Sequence, residues 1–206
     1  MSSAIKTAEQ FLDAYQSGQE SFPKLVLKSV RLQNARLPFV CLDEVDFEKA
    51  SLQRILLTGA SLLRAQLQGA NLDNANLIAA DLIRANFHKA SVKNALLASV
   101  NLSGADFSQA NLQGASLAGA NLNGANFRGA NLQDANLNGA LLFGTNLTGA
   151  NLRNVDLSNA KLSYTILPDG YFVVGENEID DDPNKASVSL ANISAYSRLA
   201  KHFRQK

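Results

Sequence analysis

The chain has 206 residues, a formal net charge of +1, 46% hydrophobic residues and one cysteine, Cys41. That length suits a single core rather than two ordinary domains. The near-balanced charge excludes a global polycation for nucleic acid and an equally global polyanion. The lone cysteine excludes an internal disulfide framework. No apolar run of 18 residues is present for a membrane helix, and the charged N-terminus is unlike a secretory signal. The expected setting is therefore the reducing cytoplasm, without a membrane.

In the opening "MSSAIKTAEQFLDAYQSG", Ile5, Ala8, Phe11, Leu12 and Tyr15 recur at helical spacing. Ser2 or Ser3 is placed to cap this helix and Gly18 to stop it. Its apolar stripe predicts a capping helix over residues 1–19 that covers the N-terminal end of the main body.

From Val30 to Asp169 the chain divides into 28 pentads without insertion or deletion. The first position is Ala in 20 of them and Val, Ile or Thr otherwise; the third is Leu in 23, Phe in four and Val in one. Phe22 and Leu27 keep the same phase, which extends the register back to Glu20. Residues two apart in extended chain point the same way, so the first and third positions face inward and the second, mostly Asn, Asp or Ser, faces out. Positions four and five then turn the chain. Ten of the 13 glycines fall at position five and three of the four prolines at position four, which suits type II turns. Pentads ending in Arg64, Arg84 or Lys89 are expected to use type I corners instead, because positive φ is unfavourable there.

The in-register phenylalanines Phe47, Phe87, Phe107 and Phe127 are separated by multiples of 20. Four pentads per coil would stack them as a structural core column on one wall. The predicted fold is an all-β solenoid, a square β-helix of about seven coils, roughly 34 Å tall at ~4.8 Å per coil.

Beyond residue 169, "GYFVVGENEIDDDPNKAS" begins with an expected edge strand, Tyr171 to Val174. It then turns acidic through Glu176, Glu178 and Asp180 to Asp182, which suits a loop. A C-terminal helix is expected next, with Ile193, Tyr196, Ala200 and Phe203 on one face, to cap the last coil or to dimerise. Residues 170–206 thus form a third segment after the cap and the solenoid at 20–169.

The tandem phrase A-(N/D)-L-x-x over Glu20–Asp169 resembles the pentapeptide-repeat family, common in bacteria. That resemblance implies a right-handed quadrilateral β-helix. "FLDAYQSGQESF" is similar to the helix-then-repeat opening of such proteins, and "TILPDG" to their terminating coil.

No chemistry accompanies the repeat. His88 and His202 are far from Cys41 in sequence and make no metal-ligand spacing or Cys-His pair. The aspartates Asp46, Asp81, Asp106 and Asp156 take the second position in place of Asn. No catalytic residue, cofactor or metal is assigned, and the chain is not read as an enzyme.

The outer walls carry more. The wall centred on Leu57, Leu77, Leu97, Leu117 and Leu137 has no charged residue from Leu56 to Gly139. It shows Leu56, Ile78 and Leu96 outward, and the next wall adds Leu63, Ile83, Leu141 and Phe143. Clustering over two adjacent walls nominates them as a protein-contact surface for an unidentified partner or a second copy. The opposite walls are rich in Asn, including Asn71, Asn74, Asn94, Asn111, Asn131 and Asn151, which suits hydrogen-bonded ladders. Arg64 and Arg84 fall in one column with Glu44.

A non-enzymatic scaffold or interaction module is the function these walls suggest. The family resemblance implies an alternative, a DNA mimic that binds a type II topoisomerase such as gyrase. Mimicry needs dense negative charge, whereas Val30–Asp169 holds 11 basic and 10 acidic residues, a net of +1. Direct nucleic-acid binding is disfavoured as well, because there is no basic stripe with aromatic platforms.

Overall fold

The structure, a computed structural model, describes residues 5–170, 172–173, 181–182 and 185–186. Each second-position residue from Ser21 to Asn146 forms a parallel bridge with the residue 20 positions later, beginning Ser21↔Cys41 and ending Asn146↔Ile166. Twenty residues therefore return the chain beside itself, and four pentads give four walls. We name the walls by central residues: Leu57, then Leu62, Phe87 and Leu112 in winding order.

The inward positions fill the shaft. Every first and third position from Val40 to Leu147 is at most 2% exposed. On the Phe87 wall, Phe87 and Phe107 stack with ring centroids 4.4 Å apart, and Phe107 and Phe127 stack at 4.9 Å. Phe47 belongs to the same column, with Leu67 between it and Phe87, and is fully buried. Where a first position is Thr, the buried hydroxyl is satisfied: Thr145 Oγ1 donates to the Leu122 carbonyl at 2.9 Å and Thr165 Oγ1 to that of Leu142.

Adjacent coils are joined by an unequal set of bonds. In each pentad before Ala150 the third and fifth amides donate forward to the next coil, as Leu112 N to the Asn131 carbonyl and Gly114 N to that of Gln133. Only the second amide donates backward, as Asn111 N to the Ala90 carbonyl. The first amide closes the corner on the third carbonyl, as Ala115 N to Leu112 O at 3.0 Å.

The corners overturn one expectation. The fifth position adopts left-handed φ whether or not it is glycine: Arg64 has φ 55°, Arg84 56° and Lys89 57°. Type I corners are absent there because the fifth amide must point along the axis. Arg64 N donates to the Ile83 carbonyl at 2.9 Å and Arg84 N to that of Ser103 at 2.9 Å. The forward bond offsets the ~1–2 kcal/mol that a side chain costs in this region. The rhythm breaks at "PDG", where the left-handed residue shifts one place to Gly170, φ 91°.

Helix α1, Ala8–Gln16, precedes the first coil. Thr7 is its N-cap, its hydroxyl accepting from Gln10 N, while the Gln10 side chain accepts from Lys6 N at 2.8 Å. Thr7 therefore takes the capping role assigned to Ser2 or Ser3, which lie outside the described residues. Gly18 ends the helix at φ 94°. Phe11 is fully buried and meets Phe22 edge-on, centroids 4.8 Å apart. Ile5, Ala8, Leu12 and Tyr15 pack partly buried beside it.

At the other end Phe172 bridges antiparallel to Ile166, and Val173 is buried, its amide donating to the Thr165 carbonyl at 2.9 Å. Tyr171 and Val174, the outer residues of the expected edge strand, lie outside the described residues. Within the stretch expected as an acidic loop, β1 (Asp181–Asp182) instead pairs antiparallel with β2 (Lys185–Ala186). Pro183 and Asn184, between the two strands in sequence, lie outside the described residues. Ile193, Tyr196, Ala200 and Phe203 lie outside the described residues.

Candidate protein-contact site

The second position has a specific job. All 15 Asn or Asp residues at second positions between Asp46 and Asp156 accept, through Oδ1, from the fourth-position amide of their own pentad. That amide is the one backbone donor the winding leaves over, and a short Asx side chain reaches it. Where the second position is Ser61 or Ser91, Asp43 or Asp73 of the preceding coil accepts from Leu63 N or Lys93 N instead. Asn ladders also occur: Asn131 Nδ2 donates to Asn111 Oδ1 at 3.3 Å and Asn151 Nδ2 to Asn131 Oδ1 at 2.9 Å.

On the Leu57 wall this pattern holds at Asn76, Asn136 and Asp156 but lapses at three other positions. Leu56, Leu96 and Ser116 take second positions, and the amides of Thr58, Ala98 and Ala118 have no acceptor among the described residues. The wall thus combines uncharged side chains with backbone donors left for an outside acceptor. Leu96 is 44% exposed, and Leu141 and Phe143 are exposed on the neighbouring Leu62 wall, Phe143 at 53%. Leu56, Leu63, Ile78 and Ile83 are only half-buried, since side chains one coil above and below flank each of them.

Three exposed aromatics have no counterpart in the sequence-based expectations. Phe39, 75% exposed, occupies the left-handed corner between the Leu57 and Leu62 walls, its ring over Gly59. A Cβ on Gly59 would meet that ring at 2.7 Å. Tyr164 stands edge-on to Phe143 at 5.0 Å, and Phe172 lies 6.2 Å from Tyr164. Phe39 and Tyr164 both sit at fifth positions, so the outward phase of the repeat is the signal that could have found them.

Charge lies elsewhere. Glu44 pairs with Lys24 at 3.8 Å and with Arg64 at 3.5 Å; among the described residues no ion pair joins Arg84 to that column. Lys28 pairs with Glu48 and Asp46, and Lys93 with Asp73. The Glu48 hydrogen bond lifts Lys28 above the ordinary lysine value, and Lys28 lowers Glu48 in turn. Asp134 is lowered first by Asn154, and Asp156 first by Ser158. These shifts hold carboxylates ionised, whereas a general acid needs the reverse. His88 is half-buried with Nδ1 2.8 Å from Ser108 Oγ, and Cys41 is a free thiol at a second position. Among the described residues no group of three or more His, Cys, Asp or Glu could hold a metal, and no helix is long and apolar enough to cross a membrane.

A family described as Pentapeptide repeats matches in 8 copies over residues 41–77, 60–98, 101–139 and 135–169. Among solved structures, the chain is similar to HetL, a pentapeptide repeat protein involved in heterocyst differentiation regulation in the cyanobacterium Nostoc sp. strain PCC 7120. The identity is 30% over 82% of this chain and 100% of that one, with TM-score 0.43. A pentapeptide repeat protein of the Arabidopsis thaliana thylakoid lumen is 33% identical over 44% of this chain and 63% of its own, TM-score 0.43. QnrB1, a plasmid-mediated fluoroquinolone resistance protein, is 16% identical over 88% and 90%, TM-score 0.43. Comparison with curated proteins returns no match.

Proposed function

Since the chain belongs to the pentapeptide-repeat family, we propose that it is a non-catalytic protein-interaction module whose contact face spans the Leu57 and Leu62 walls. In this reading a tower of about seven coils over residues 20–169 holds the face rigid between a cap at 1–19 and a tail at 170–206, in the cytoplasm. The observation that carries it is the uncharged strip from Leu56 to Gly139, continuous with exposed Leu141 and Phe143. A rigid face loses little side-chain entropy on binding, and Leu, Ile and Phe supply desolvation there.

The DNA-mimic reading finds no matching charge. On the Phe87 and Leu112 walls acids alternate with bases, as in Lys28 beside Asp46 and Glu48 and Lys93 beside Asp73. The test is affinity capture from native extract with the parent chain and with L56S/I78S/L96S, folding being checked by circular dichroism. Loss of the captured protein from the folded variant supports the face; equal capture removes it.

A further inference from the structure

From Asp73 to Ser158 every fourth-position amide has a side-chain acceptor among the described residues, except those of Ala98 and Ala118. These two lie in adjacent coils of the Leu57 wall. Most acceptors come from the second position of the same pentad. Where that position cannot accept, the fourth residue of the preceding coil serves instead. Asn123 Oδ1 thus accepts from Phe143 N at 3.0 Å, because Leu141 holds the second position.

Serine at the second position turns this arrangement into a carboxylate site. The Ser61 hydroxyl and the Leu63 amide both donate to Asp43 Oδ1, the amide at 3.1 Å. On the Leu112 wall the Ser91 hydroxyl and the Lys93 amide both donate to Asp73 Oδ1, the amide at 3.0 Å. In each case one oxygen takes a hydroxyl and an amide from the following coil, and its negative charge strengthens both bonds. The molecule therefore builds the same site twice, on different walls.

Ser116 and Ala118 repeat the donor pair on the Leu57 wall. The position that Asp43 and Asp73 hold is here Ala98, whose side chain ends at Cβ. Ala98, Ser116 and Ala118 are only half-buried, so the pair can be reached from outside. The remaining second-position serines do not reproduce it. Ser21 is followed by Pro23, which has no amide hydrogen, and Ser51 has the side chain of Gln33 in the preceding coil.

The surroundings select the ligand. Leu96, 44% exposed, bridges to Ser116 from the coil before it, and no charged residue stands on this wall from Leu56 to Gly139. Two donors without a cation hold an anion by short hydrogen bonds, which gain strength where an apolar neighbour keeps water away. A free inorganic anion has no apolar surface to set against Leu96. A carboxylate carried on a chain beside apolar side chains uses both features. On the premise of the contact face above, we propose that the Ser116 hydroxyl and the Ala118 amide receive an Asp or Glu carboxylate of the protein partner, with an apolar partner residue packed on Leu96.

The test uses the full chain in two steps. Ala98→Asp restores the residue that Asp43 and Asp73 supply, so the Ala118 amide, fast-exchanging in the parent, should exchange ~10-fold or more slowly in the variant. A98D/S116A should lose most of that gain. In an NMR titration, N-acetyl-Leu-Asp-Leu-amide should shift the Ser116 and Ala118 amides of the parent saturably. Its Leu-Asn-Leu counterpart should bind about 3-fold or more weakly, and A98D, with its own carboxylate in place, should not respond. Amides near Leu112 should stay slow throughout, which reports an intact tower. Slow exchange at Ala118 in the free parent overturns the proposal. So does an absence of added protection in A98D, no saturable shift with the Asp peptide, or an equal response to both peptides. The contact face is judged separately: capture lost in L56S/I78S/L96S but kept by A98D removes the carboxylate and leaves the face.

Discussion

At the N-terminal end Phe11 is sealed against Phe22, while at the C-terminal end Leu152 and Leu157 occupy equivalent mouth positions and remain half-buried. The repeat is the same at both ends, so the difference arises outside it, in the side chains each flanking segment supplies. Bond polarity adds a second asymmetry. The first coil asks for donors and finds Tyr15 and Gln19; the last asks for acceptors. Such chemically distinct ends disfavour mirror pairing, and helix α1 covers the end that head-to-tail stacking would need.

The middle of the tower sets the scale for probing this contrast. Leu117 is fully buried and central, so Leu117→Asp buries an unpaired carboxylate and should abolish cooperative urea unfolding followed by circular dichroism. Next comes the pair of end plugs. Phe11→Ala should lose about 3–5 kcal/mol in the same assay. Val173→Ala should lose only about 1.5–2 kcal/mol, since two methyl groups go. Equal losses would erase the asymmetry between the ends. Smaller again is the corner effect. A Cβ at Gly124 meets nothing within 4 Å, so Gly124→Ala isolates the backbone term and should cost about 1 kcal/mol.

The smallest effect concerns acid. Asp134 and Asp156, on the two walls that are open at the last coil, have folded values below the ordinary carboxylate value of 3.8. A lowered folded value contributes stability above the unfolded value, which is lost as pH falls through the folded one. Protection at the last two coils should therefore fall only below the ordinary carboxylate range, and Asp156→Asn should weaken that pH dependence. Lys28 at the other end runs oppositely: its raised value gives stability below 10.5 that fades as pH climbs past it.

Much of the winding is legible in the sequence because phase and size survive there. Phe47, Phe87, Phe107 and Phe127 fall in one column as their spacing requires. The corners depart from expectation because intrinsic preference does not act alone; at Arg64 and Arg84 a forward hydrogen bond overrides it. Second-position Asn and Asp look merely outward in the sequence, though each satisfies a leftover amide, a role visible only once backbone bonds are counted. Of the proposed contact face, Leu96, Leu141 and Phe143 stand exposed, but Leu56, Leu63, Ile78 and Ile83 are partly buried by neighbours one coil away. Phe39 and Tyr164 are hidden from a reading that treats fifth positions only as corners. The ends resist reading because nothing there repeats.

Hydrogen exchange of the chain alone and bound to a protein captured from native extract tests the proposed contact face most directly. Slower exchange in the complex at the amides of Thr58, Ala98 and Ala118, with the Lys28–Glu48 region unchanged, is the result expected. Protection confined to the Phe87 or Leu112 walls would contradict it.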